Sequence, residues 1–298
     1  MNSSEQQTLV IEQAYAKINL ILAVTGKRID GYHDLQTVFQ SLALHDTLTF
    51  TANESEVLTL TTNNPSLPAG PDNLIWRAAE RLMEFYKVKK GVAINLEKRI
   101  PLAAGLGGGS SDAAATLRGL VRFWQLPCEP QVLSEIAAEL GSDVPYCLAG
   151  GTALGTGRGE QLLQLTPCPH FYVVLANPGF PVSTAQVYQD LRTTELASSA
   201  ALHGMLRALA EQNQTAMMHH VANTLEKATF RLYPQVKALK TEMASASAAL
   251  MCGSGPTVFA LFLTSAAATA VQAALQQKGY QVWLTETIQQ PEVEKWSM

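Results

Sequence analysis

Residues 101–114 read PLAAGLGGGSSDAA, a glycine run that closes on two serines and an aspartate. Glycine loses more backbone freedom on folding than any other residue, so a loop that keeps several needs positive φ or close backbone approach. A phosphate is the visitor such a loop suits. Other segments carry groups able to do chemistry. In AYAKINLILAV, residues 14–24, Lys17, Asn19 and Ile21 alternate with Ala16, Ile18, Leu20, Leu22 and Val24. An ammonium and an amide therefore share one face of an apolar strand, where they either border a polar pocket or, on an edge strand, leave Lys17 as a solvated gatekeeper. In GSDVPY, residues 141–146, Ser142 can cap a short helix with Pro145 in its first turn. Asp143 then sits at a helix N-terminus, where a carboxylate ionises easily, whether it acts there or only complements the dipole. Tyr32 and His33 are neighbours in GKRIDGYHDL, a polar loop, and such a pair serves either packing or recognition.

The elements around the glycine run make it an anion site. Before it, Val92, Ile94 and Leu96 alternate with Ala93, Asn95 and Glu97 as a strand that ends at Ile100 and Pro101. After it, Leu117, Leu120, Val121 and Trp124 share a helical face, with Ser110 or Ser111 as cap and Asp112 favouring the N-terminus electrostatically. Unpaired N–H groups at that helix start add to the loop's own. Two better-known phosphate loops are excluded by spelling. No lysine stands where the Walker pattern needs Gly-Lys-Ser/Thr, and the third glycine of a dinucleotide fingerprint would fall on Ser110, with no acidic residue near Gln125. A flexible linker would not lie between a patterned strand and a patterned helix.

Elsewhere, residues 47–61 alternate as strands, a turn-rich stretch at 63–73 leads to a helix over 74–86, and Gly155, Gly157 and Gly159 mark a hairpin or interdomain turn. The second half opens with a strand over 171–176, continues with helical patterns at 199–227 and 234–246, and reaches CGSGPTVFALF. That glycine turn either faces the first one or merely reverses the chain.

With 298 residues, the chain exceeds the usual size of one core, and two domains are expected, 1–159 and 160–298. Apolar residues at 47% and charged residues at 15% describe a globular protein, and a net charge of −4 argues against a nucleic-acid partner. MNSSEQQTLV lacks the basic and apolar regions of a secretory signal, and no apolar run suits a membrane span. A cytoplasmic protein is expected, without nucleic-acid or membrane partners. Cys128, Cys147, Cys168 and Cys252 form no CxxC pair and read as reduced thiols. The tail from Pro291 reads as loosely held.

Taken with AKINL at 16–20, GYHDLQT at 31–37, DNLI at 72–75, GSDVPY and GSGPTVFAL at 253–261, the glycine run resembles the nucleotide loop of the GHMP small-molecule kinases, which include galactokinase, homoserine kinase and mevalonate kinase. The combination is most similar to the branch that acts on a cytidine diphosphate-linked methylerythritol. The resemblance implies an α+β fold of two domains, a ribosomal protein S5 domain 2-like N-terminal domain and an α/β sandwich C-terminal domain, with the active site in the cleft between them. It implies transfer of the ATP γ-phosphate to the 2-hydroxyl of the methylerythritol unit, with Mg²⁺ arriving on ATP, and a monomer or weak homodimer is expected; Ser110 or Ser111 could contact the ion, and no paired carboxylates at metal-ligand spacing single out a protein-held metal site. By position, Lys17 and Asp143 become the catalytic pair. Pro101, Leu102, Ala103, Ala104, Gly105, Leu106, Gly107, Gly108, Gly109, Ser110 and Ser111 cradle the triphosphate, while Asn73 and Lys98 lie near the nucleotide. Asn19, Tyr32, His33, Thr184 and Tyr188 match substrate positions, with His33 reading the cytosine edge and the two tyrosines bracketing the base.

The chain departs from the pattern at Ala103 and Ala104, where family loops often carry further glycines, and at Cys252, where a small hydroxyl residue is usual. Alanine suits negative φ, so Gly105 to Gly109 are expected to carry the unusual backbone angles. Another GHMP kinase would act without a cytidine moiety, against which GYHDL argues. A nucleotide or sugar sensor on the same fold would lack the Lys17 and Asp143 pair.

Overall fold

A computed structural model describes residues 9–53, 55–127, 129–196, 199–243 and 248–289. Cys128 and the tail from Pro291 lie outside the described residues. In chain order the first elements are β1 (Val10–Lys27), β2 (His33–Asn53), β3 (Leu58–Thr62), α1 (Leu74–Tyr86), β4 (Gly91–Glu97), α2 (Gly108–Trp124), α3 (Pro130–Leu140) and α4 (Val144–Ala149). Then come β5 (Thr152–Thr156), β6 (Gln161–Gln164), β7 (Tyr172–Asn177), α5 (Thr184–Asp190), α6 (Ala200–Ala210), α7 (Gln214–His220) and β8 (Ala222–Asn223). The last are α8 (Glu226–Leu232), α9 (Pro234–Glu242), β9 (Ala248–Met251), β10 (Val258–Phe262), α10 (Ser265–Gln277) and β11 (Gln281–Glu286).

The chain forms two compact units, interleaved in sequence. One comprises residues up to Ala16, His45–Ile100 and Gly108–Leu148; the other comprises Lys17–Leu44, Pro101–Gly107 and the chain from Ala149 onward. This differs from the expected single boundary at 159/160. β1 and β2 are long, and each unit takes part of both strands.

In the first unit, β4 pairs antiparallel with the end of β2 (Thr47 opposite Glu97) and parallel with β3 (Leu58 opposite Val92). The alternation in β4 is what the sequence predicts: Val92, Ile94 and Leu96 are buried, and Asn95 and Glu97 are exposed. Leu117, Leu120 and Val121 bury one face of α2, and Ile75, Ala78, Ala79 and Leu82 one face of α1. Gly119 lies against the Phe50 ring, close enough that a Cβ would overlap it.

In the second unit, β5 pairs antiparallel with the start of β2 (Thr37 opposite Gly155) and with β6, and β8 pairs parallel with β1 (Ile21 opposite Ala222). A second sheet runs β11-β7-β10-β9, all antiparallel. Val173 to Ala176 and Val258 to Leu261 are all fully buried, the unbroken apolar runs of strands covered on both faces. Leu22, Val174, Val187, Leu239, Met251 and Val258 belong to the core built on them.

Gly119→Ala tests the contact beneath α2. A helical alanine gains about 1 kcal/mol over glycine, but overpacking a rigid ring costs about 1–3 kcal/mol. A net loss of up to about 2 kcal/mol in thermal melts is expected, with recovery in Gly119→Ala/Phe50→Leu.

Candidate active site

The glycine loop, Pro101–Gly107, belongs wholly to the second unit and is shaped by close approach. Positive φ occurs at Ala103 (50°), Gly105 (76°) and Gly107 (69°). Gly108 and Gly109 are already helical. The expectation that Gly105 to Gly109 carry all the unusual angles is thus corrected at both ends. Ala103 takes a left-handed conformation despite its Cβ, a strain of about 1–2 kcal/mol that only a well-determined loop tolerates. A Cβ at Gly105 would overlap the Cys252 carbonyl, and one at Gly107 would lie 2.9 Å from Lys17 Cγ. Ala104 and Leu106 are buried and anchor the loop, while Leu102 is exposed.

Lys17 forms the wall behind it. Lys17 is only 4% exposed, which removes the gatekeeper alternative, and β1 lies between β2 and β8 rather than at an edge. The Lys17 N–H donates to Leu106 O at 3.0 Å. Its Nζ donates to Asn19 Oδ1 at 3.0 Å and stands 5.5 Å from the centre of the Phe39 ring. Asn19 Nδ2 donates to Thr37 Oγ1 at 2.8 Å, and that hydroxyl donates to Ile21 O at 2.7 Å. The buried polar face of β1 is therefore a directed chain ending on backbone, the condition under which buried polar groups persist.

The 252–256 turn meets the glycine loop within this unit. Gly253 (φ 54°) and Gly255 (φ 91°) shape it. Asn223 Nδ2 donates to the carbonyls of Met251 at 2.9 Å and Gly253 at 2.8 Å. Ser254 Oγ and Thr184 Oγ1 are 2.8 Å apart, which places the exposed first residue of α5 at the same turn. Burial holds the Cys252 thiol well above its ordinary pKa even with Lys17 nearby, so it behaves as an inert apolar group.

Also in the second unit, the loop after β1 is shorter than its polar stretch suggests, because β2 already begins at His33. The His33 ring lies 5.0 Å from that of Tyr188. Burial, then Lys27, lowers the His33 pKa and favours neutral imidazole. Tyr32, 55% exposed, carries the Arg158 guanidinium 5.1 Å from its ring centre. The rings expected to bracket a base thus have separate partners, His33 with Tyr188 and Arg158 with Tyr32.

In the first unit, α2 starts at Gly108, so Ser110 and Ser111 lie inside its first turn rather than capping it. Ser111 Oγ donates to Tyr15 O at 2.7 Å. Asp112, expected to favour the helix N-terminus electrostatically, has its carboxyl group in the interior. It is buried, with Oδ2 2.6 Å from Lys98 Nζ, which also lies 2.5 Å from Asp46 Oδ2. Burial above all pushes the Asp112 carboxyl up to about 8, with Asp46 adding to the rise and Lys98 opposing it. Lys98, expected near the nucleotide, thus has its ammonium turned onto Asp46 and Asp112. Asn73 is the N-cap of α1: Oδ1 accepts from Ile75 N at 2.9 Å and Nδ2 donates to Pro68 O at 2.8 Å. Asp143, half-buried, takes the capping position assigned to Ser142, since its carbonyl accepts the first helical bond of α4 from Cys147 N at 3.0 Å.

Among the described residues, no group of three or more His, Cys, Asp or Glu side chains is placed to hold a metal ion, and no helix is long and apolar enough to cross a membrane. Sequence reasoning missed Asp46, Asn223, Ser254 and Arg158. Asp46 and Asn223 lie outside any motif, whereas Ser254 stood in a quoted one without a role.

The model of the GHMP kinases N terminal domain matches residues 73–151, and that of the GHMP kinases C terminal matches 199–281. A 4-diphosphocytidyl-2-C-methyl-D-erythritol kinase of Bacillus subtilis (strain 168) is 44% identical over 254 residues, 85% of this chain and 88% of the relative. One of Moorella thermoacetica is 45% identical over 280 residues, 92% of this chain and 98% of the relative. The chain belongs to the 4-diphosphocytidyl-2-C-methyl-D-erythritol kinase family of GHMP kinases. A crystal structure of 4-(cytidine 5'-diphospho)-2C-methyl-D-erythritol kinase superposes with a TM-score of 0.80 at 35% identity, covering 93% of this chain and 98% of the other. The two matched GHMP regions fall on the two halves of the chain, the first holding the glycine run and Asp143.

The raised Asp112 pKa has a consequence for stability. In the unfolded chain this carboxyl ionises near pH 4, whereas in the fold it keeps its proton to about 8. Its contribution is full below pH 4 and is lost as pH rises from about 4 through about 8. Urea midpoints of the wild type should therefore fall more steeply over that range than those of Asp112→Asn. Parallel pH profiles would refute this assignment.

Proposed function

We propose that this GHMP kinase transfers the γ-phosphate of ATP to the 2-hydroxyl of 4-diphosphocytidyl-2-C-methyl-D-erythritol, giving the 2-phosphate and ADP, on the non-mevalonate route to isoprenoid precursors. The observation that carries the reading is the buried ammonium of Lys17, held against a positive-φ glycine loop in a chain 44% identical to a kinase of that name.

Phosphoryl transfer asks mainly for positioning and for charge placed where it develops. The substrate hydroxyl oxygen forms a bond to the γ-phosphorus as the bond to the bridging oxygen breaks, and the hydroxyl proton leaves. Asp143 accepts or orients that proton, and Lys17 answers negative charge developing on the transferred group. Asn19 and Thr37 hold the Lys17 ammonium in place. N–H groups of the glycine loop meet the triphosphate. Mg²⁺ enters on ATP, with Ser110 the more available hydroxyl because Ser111 is bonded to Tyr15 O. Asn73 and Lys98 act on the nucleotide by shaping its surroundings, given the bonds they already make.

His33 and Tyr188 provide the cytosine surface. A neutral imidazole presents one donor and one acceptor nitrogen, the complement of an amino group beside a ring nitrogen. Tyr32 stacks from the hairpin tip, and Thr184 positions substrate through the hydroxyl it shares with Ser254.

Purified protein with ATP and Mg²⁺ should release ADP with the cytidyl diphosphate substrate and far more slowly with the free polyol. No turnover with the cytidyl substrate in folded, ATP-binding protein would sink the proposal. Asp143→Asn should lower kcat by ~10² or more with a modest change in KM. His33→Ala should relax the preference for cytidine; equal loss with every substrate would instead indicate damage to the fold.

A further inference from the structure

Both ends of the glycine loop are tied to one buried carboxylate that lies in no motif. Asp46, wholly buried on β2, accepts at Oδ1 from Arg99 N at 2.5 Å and Ile100 N at 2.8 Å, the last two residues before Pro101. Its Oδ2 lies 2.5 Å from Lys98 Nζ. The same ammonium reaches Asp112 Oδ2 at 2.6 Å, in the helix that starts immediately after Gly107. The helix start rests on this group: a Cβ at Gly108 would lie 3.0 Å from Lys98 Nζ and 3.1 Å from Ile100 Cγ2. Strand exit and helix entry therefore hang on a single cluster of Asp46, Lys98 and Asp112.

We propose that Asp46 is a positioning residue for the phosphoryl donor, setting through Lys98 the separation of the two ends of the glycine loop. This rests on the kinase reading above. Two backbone N–H groups converging on one carboxylate oxygen make a charge-assisted fork with little freedom, and its burial leaves no water to replace it. For stability alone, apolar side chains of similar volume serve as well as a buried ionic cluster or better. What the cluster adds is a fixed geometry. The loop it spans holds Ala103 at positive φ, a conformation that relaxes if its ends are free to move.

The test is Asp46→Asn in the full chain, which keeps the size of the side chain and loses the charge. Affinity for a non-hydrolysable ATP analogue, measured by calorimetry, should fall by ~10-fold or more, with a matching rise in KM for ATP and little change in KM for the alcohol. Amide exchange across 101–111 should accelerate. The double variant Lys98→Met/Asp112→Leu, which leaves the Asp46 fork but frees the helix entry, should also lose ATP affinity, and it supplies the answer if Asp46→Asn does not fold. Unchanged ATP affinity beside a lowered Tm, or an equal rise in both KM values, would overturn the proposal. A wild type that binds no nucleotide would instead overturn the kinase reading, and the exchange rates would still decide whether Asp46 holds the loop.

Discussion

A lysine can leave water only where the fold answers its charge, and this chain meets that constraint twice around one loop. Lys98 is answered by the Asp46 carboxylate and by the carboxyl group of Asp112, drawn from different elements. Lys17 is held by the Asn19 amide and the face of Phe39. Desolvating either ammonium costs several kcal/mol unless its partners are already in place. The close packing of Gly107 on the Lys17 stem and of Gly108 on the Lys98 head follows from this. Any side chain at those glycines would displace the charge that the surrounding residues are arranged to hold.

The sequence made the local elements plain and left the long-range partners hidden. β4, the glycine loop and α2 were legible because their signals are local: a period of two, a run without Cβ atoms, a period near 3.6. The polar face of β1 was legible for the same reason. Asp46 was not, since it stands 52 residues from Lys98 and only β-sheet pairing brings them together. Asn223, which fixes the 252–256 turn from β8, is invisible on the same ground. The two interleaved units escaped a reading that divides a chain once, because a strand as long as β2, with 21 residues, carries no internal mark where one unit's share of it ends.

Composition also misplaced strain. Counting glycines predicts positive φ wherever glycines stand, but the backbone puts it at Ala103, Gly105 and Gly107 and runs Gly108 and Gly109 into the helix. The glycines divide by cause. Gly105 and Gly107 need both their angle and their missing Cβ, Gly108 needs only the missing Cβ, and Gly109 meets only ordinary contact with Leu74. Spelling alone cannot separate these, because each cause depends on what another part of the chain brings near.

Family membership and site geometry answer different questions about selectivity. A glycine loop with a helix start meets any triphosphate, and its amides carry no information about the alcohol to be phosphorylated. Discrimination has to come from groups that would be left unpaired by the wrong substrate, since burying an unmatched donor or acceptor costs more than losing an apolar contact. His33 has that character: partly buried, held neutral by burial and by Lys27, and packed on Tyr188. Tyr32 does not, because it is largely exposed and its ring is already occupied on one side by Arg158. The weight of base recognition therefore falls on the imidazole edge, and the exposed tyrosine adds contact area that water can replace.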